Sequence, residues 1–168
     1  MDLSAIINSI EGALDKAPIA ARPSAKDKAD FQTELAKAFA NYLRRVETAV
    51  ENMAEYSLSG IVKDKIDGYN DKCDVFVETE RYIVIVELDA TRADQVAKKM
   101  LSRYYYADKS PKPTVYVCLL YPGTENMNPN ECIKYMTMGK DVLLSMNPAN
   151  RFIGAFINGK KLELKLIG

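Results

Sequence analysis

The 168-residue chain contains no histidine. That absence excludes Ser-His-Asp and Cys-His nucleophile pairs, HExxH zinc sites and histidine-based nuclease centres, so acid–base or metal chemistry falls to carboxylates, lysine and tyrosine. Cysteine is scarce: Cys73, Cys118 and Cys132 are odd in number and widely spaced, which fits neither a disulfide framework nor a zinc pattern and leads us to expect reduced thiols. No run of about 18 apolar residues is present to span a bilayer. The opening MDLSAIINSIEGALDK lacks the basic region, apolar stretch and cleavage site of a signal peptide, so a cytoplasmic protein with no membrane segment is expected. Net charge is absent too, because 23 basic side chains balance 23 acidic ones. That balance argues against a large positive field that would hold nucleic acid regardless of sequence, and leaves a local basic groove open.

What is present is a globular composition, 48% hydrophobic and 27% charged, at a length suited to one domain spanning 1–168. Leu3, Ile6, Ile7, Ile10 and Leu14 recur at helical spacing and predict a helix closing before Pro18. Residues 17–28 read as a connector leading to a cap at Asp27 or Asp30. A long helix is then predicted from Asp30 to Tyr56 on the stripe Phe31, Leu35, Phe39, Tyr42, Val46, Val50 and Met53. Three antiparallel strands are expected at Leu58–Val62, Cys73–Val77 and Tyr82–Leu88, then a helix over Arg92–Ala107. Thr114–Tyr121 (TVYVCLLY) is apolar on both faces, as an interior strand would be. Pro129 opens a further helix that has Gly139 as a weak point inside it and is ended by Pro148. Beyond it, RFIGAFI and KKLELKLI form a hairpin around Asn158-Gly159, the pair a type I′ turn prefers.

The chemical signal lies in CDVFVETERYIVIVELDATRADQVAKKMLSRYYY. Asp74 opens one strand, while Glu87 and Asp89 end the next and share a face, being two residues apart. Clustered carboxylates need a neutralising cation, and an all-oxygen set suits Mg²⁺ or Mn²⁺. A helix bearing Glu34, a strand with Asp74, a strand ending Glu87-Leu88-Asp89 and a helix with Gln95 together resemble the PD-(D/E)xK nuclease superfamily, over about residues 30–121.

That resemblance implies an α/β fold with a restriction-endonuclease-like core (α-βββ-α-β) at 30–121. An extra N-terminal helix and connector (1–28) and a C-terminal helix plus β-hairpin (129–168) would flank it. Asp74 and Glu87 would be metal ligands, Gln95 the helical glutamine and Glu34 the accessory glutamate. Asp89 stands where the family has lysine, so it becomes a further metal ligand and the missing cation is sought on the helix, at Lys98 ahead of Lys99. Arg92 would add positive charge toward a phosphate. The implied activity is divalent-metal-dependent hydrolysis of DNA phosphodiester bonds, with a homodimer as one assembly such folds use. The alternative is a catalytically inactive module of the same fold that binds nucleic acid or a partner protein without cutting.

Each residue also has a plainer reading. Asp74 and Glu87 would be solvated strand ends, Asp89 a helix N-cap, Glu34 a surface neighbour of Lys37, and Lys98 and Lys99 an exposed basic face. The run Tyr104-Tyr105-Tyr106 is expected mainly as core packing, and Met136, Met138 and Met146 as helix core.

Overall fold

The computed structural model describes residues 2–43, 51–58, 72–123 and 128–168. They form an α/β arrangement in which helices α1 (Leu3–Lys16), α2 (Ala25–Leu43), α3 (Ala93–Lys109) and α4 (Pro129–Met146) cover a six-stranded sheet. The strands β1 (Glu51–Ser57), β2 (Lys72–Glu78), β3 (Ile83–Ala90), β4 (Thr114–Tyr121), β5 (Arg151–Asn158) and β6 (Lys161–Ile167) lie in chain order across it. β1, β2 and β3 are antiparallel neighbours, β3, β4 and β5 run parallel, and β6 returns antiparallel to β5.

Both faces of the sheet are covered, which explains the unbroken apolar runs in β3 and β4. Alternate residues sort to opposite faces. Val84, Val86, Val115, Val117 and Leu119 pack with α1 and α2 through Ile6, Ile10, Phe31, Leu35 and Phe39. Ile83, Ile85, Tyr116, Cys118 and Leu120 pack with α3 and α4 through Val96, Met100, Tyr104, Cys132 and Met136. Glu87 and Asp89 continue the second set, so β3 aims them at α3. Tyr104 and Tyr106 are buried and Tyr105 is exposed, and all three cysteines are buried free thiols.

Three expectations need correction. The second helix begins at Ala25, not Asp30: the Ser24 hydroxyl accepts from the Asp27 amide at 3.1 Å and the Asp27 carboxylate accepts from the Ser24 amide at 2.8 Å, a reciprocal cap. Nor does that helix reach Tyr56. Glu51–Ser57 is strand β1, paired from Glu51 opposite Glu78 to Ser57 opposite Lys72, so the ladder offered by β2 outweighs the helical spacing of Met53. Leu58 lies just past β1, and the rest of the strand expected at Leu58–Val62 lies outside the described residues, as do Val46 and Val50. In the terminal hairpin Asn158 pairs with Lys161, so the two-residue loop is Gly159-Lys160, with Gly159 at φ +64° in its first position.

Gly139 is a close-approach point where α4 crosses α3. A Cβ there would collide with Met100 Sδ and lie 2.9 Å from Tyr104 Oη, whereas a Cβ on Gly12 in α1 would meet nothing within 4 Å. Helix propensity favours alanine over glycine by about 1 kcal/mol, and overpacking a closed contact costs roughly 1–3 kcal/mol. Gly12→Ala is therefore expected to raise the urea midpoint and Gly139→Ala to lower it; a rise in both would show that the helices can separate freely.

Candidate functional site

The β2–β3 ladder runs from Glu78 opposite Ile83 to Val75 opposite Val86. One residue further the Asp74 side chain takes over from the backbone: its Oδ2 accepts from the Leu88 amide at 2.7 Å, and its Oδ1 accepts from Gln32 Nε2 of α2 at 2.7 Å. Asp74 thus joins the end of β3 to the helix on the opposite face of the sheet.

On the α3 side, Lys99 and Arg103 are one turn apart and point the same way. Arg103 is buried and donates from Nε to Glu87 Oε1 at 2.5 Å and from Nη2 to the Lys72 carbonyl at 2.6 Å. Lys99 Nζ stands 2.8 Å from Glu87 Oε2, 2.7 Å from Asp89 Oδ2 and 3.8 Å from Asp74 Oδ2. The three carboxylates therefore converge on one ammonium. Glu87 and Arg103 are 2% and 3% exposed, while the Asp74 and Asp89 side chains keep 17% and 24% of their surface toward solvent.

Burial pushes the Glu87 carboxyl up to about 7, and Asp74 adds to that push, while Lys99 and Arg103 pull it back. Burial likewise raises Asp89 against the pull of Lys99. For Lys99, burial works to lower the pKa, but the Glu87, Asp74 and Asp89 carboxylates outweigh it and hold the ammonium above its usual range. Lys99 and Arg103 are thus the permanent charges of the site. Among the described residues, three carboxylates face these two cations, and one negative charge is left over when all are ionised. The surplus sits toward Asp74 and Asp89, the members open to water.

The other expected residues lie elsewhere. Glu34 is engaged by Lys37 at 2.7 Å and Lys16 at 3.6 Å, so the α2 side chain that reaches the carboxylates is Gln32. Gln95 donates to its neighbour Asp94 at 2.9 Å and Lys98 is exposed, which makes Lys99 the lysine directed at the cluster. Arg92 pairs with Asp94 at 2.8 Å. Asp89 does not cap α3: the N-cap is Arg92, which makes no side-chain capping bond. Arg103 and Gln32 were not anticipated, although the four-residue spacing of Lys99 and Arg103 already put both on one face.

The donor chemistry fits a hard cation, being oxygen throughout, and the Lys99 ammonium marks the point where those oxygens meet. Among the described residues, however, no group of three His, Cys, Asp or Glu side chains is disposed as a ready metal cage. A divalent ion would need Lys99 to swing aside on its flexible stem.

Removing one member of a buried ion pair strands the other, at a cost of roughly 3–5 kcal/mol, whereas replacing both by apolar residues of similar volume is often close to neutral. Arg103→Met should therefore lower the unfolding free energy by about that amount in urea titrations, and Glu87→Leu combined with Arg103→Met should recover most of the loss. Equal destabilisation by the single and double changes would show that the charges are not coupled.

No family model matches the chain, and no curated protein or solved structure does either.

Proposed function

We propose that this protein is a divalent-metal-dependent phosphodiesterase of PD-(D/E)xK type acting on DNA, with a restriction-endonuclease-like core formed by α2, β1–β3, α3 and β4. One observation carries the reading. Lys99 reaches from α3 to within 2.8 Å of Glu87 and 2.7 Å of Asp89, and so supplies from the helix the cation that β3 lacks where it carries Asp89. The order of elements and the placement of acids at the ends of β2 and β3 support it as well.

In this reading Asp74, Asp89 and Glu87 would hold a Mg²⁺ or Mn²⁺ ion once Lys99 has swung aside. When bound, such an ion supplies Lewis acidity toward a phosphoryl oxygen and lowers the pKa of water. The chain's own groups do the rest. Arg103 keeps the Glu87 carboxylate in one orientation, Gln32 and the Leu88 amide keep Asp74 in place, and Lys99 sets a positive charge where negative charge grows on the attacked phosphate. A homodimer would carry two such sites.

A second reading, the inactive module that binds nucleic acid or a partner protein, is favoured by a separate observation. Both Glu87 oxygens already have cationic partners within the chain. The two readings differ in cleavage. Incubated with supercoiled plasmid and Mg²⁺ or Mn²⁺, the protein is expected to nick DNA. Lys99→Ala should slow nicking by about 10²-fold or more, the scale of a positioned charge or acid–base group, whereas Lys98→Ala should leave it unchanged. Mn²⁺ should raise the melting temperature of the wild type but not of Asp74→Asn combined with Asp89→Asn. Absence of nicking together with absence of a metal shift would leave the binding module.

A further inference from the structure

A cleft of about 710 Å³ opens at the carboxyl ends of β3 and β4, where Ala90 is paired with Tyr121, one residue beyond Asp89. The carboxyl edge of parallel strands is where α/β sheets commonly receive ligands, and this volume lies in the ordinary range for a small-molecule site. Its walls are distinctive in chemistry. Among the described residues, Tyr121 and Tyr135 supply aromatic surface, and Arg22, Arg92, Asp94 and Glu131 supply two positive and two negative groups. Arg22 is held at the rim by donating from Nε to the Gly123 carbonyl at 3.3 Å, and Arg92 by its pair with Asp94.

A lining with balanced charge is poorly suited to a bare phosphate, which asks for an excess of donors. It suits a flat, uncharged ring that carries donors and acceptors on its edge. Arginine reads acceptors on such a ring, carboxylates read donors, and tyrosine stacks on its face. We infer that the cleft receives one unpaired nucleobase of a single-stranded DNA, beside the carboxyl end of β3 that carries Asp89. This rests on the phosphodiesterase reading and names its substrate as single strand. A base inside an intact duplex is stacked and paired and cannot enter such a cleft without being extruded.

The test separates binding from cleavage. Fluorescence polarisation in EDTA would compare a labelled 12-nucleotide thymidylate strand, a duplex of equal length, and an abasic 12-unit backbone with the same phosphates. The thymidylate strand is expected to bind about tenfold more tightly than either, the order of one base stacked on one ring. Tyr135→Ala and Arg22→Ala should each remove most of that advantage, and Tyr135→Phe should keep it, with circular dichroism showing all three variants folded. Equal affinity for the thymidylate and abasic strands, or an unchanged advantage in both Tyr135→Ala and Arg22→Ala, overturns the inference. Calorimetry with thymidine monophosphate distinguishes the source of the base, because affinity equal to that of the strand would assign the cleft to a free nucleotide and overturn the strand reading. If strands bind as expected but are not cut in Mn²⁺, the hydrolase reading fails and the cleft stands. If duplex is cut while abasic and thymidylate strands bind alike, the cleft fails and hydrolysis stands.

Discussion

The arrangement depends on a carboxylate that has been taken out of water. Glu87 sits at the end of an otherwise apolar strand, opposite Cys118 in the ladder, in a setting where an isolated charge would cost several kcal/mol. Arg103 and Lys99 make its presence tolerable, and in doing so they fix the azimuth of α3 on the sheet: only one rotation of that helix presents two cations one turn apart to Glu87. The same rotation seats Val96, Met100 and Tyr104 in the core and leaves Lys98 in solvent. Packing and electrostatics agree on one orientation, which is the consistency expected of a sequence that specifies a single structure.

Arg103 serves a second purpose through Lys72. By donating to that carbonyl it ties the start of β2 to α3, across the gap left where the β2–β3 ladder stops at Val75 and Val86. Asp74 closes the gap from the other side. The two strands are therefore held together at their open end by side chains, and the acids stay near one another where the backbone would let them part. The three thiols take no part in this chemistry. Each is buried, and burial raises the pKa of Cys73, Cys118 and Cys132, which favours the protonated thiol.

Much of this was legible in the sequence. The spacing of Leu3 through Leu14, the apolar run Thr114–Tyr121 and the apolar run ending in Glu87 and Asp89 each have one dominant explanation, and the elements follow it. The segment from Glu51 to Ser57 does not, because Met53 continues a helical stripe as well as it fills a strand, and only the neighbouring ladder of β2 decides between them. At the site, the acids were visible because carboxylates at the ends of apolar strands are conspicuous. Arg103 was hidden by its company: next to Lys98 and Lys99 it reads as one more charge on a wet helix face, and its burial depends on a glutamate 16 positions away. Gln32 was obscured in the same way by Glu34, the more reactive residue on the same helix.

Asp74 acts as a surrogate for main chain. Its carboxylate occupies the place of a neighbouring strand's carbonyl and at the same time grips the amide of Gln32 from beneath the sheet. Whatever draws electron density from those oxygens also loosens the tip of β3 and the seating of α2, so events at the mouth of the sheet are mechanically wired to the layer behind it.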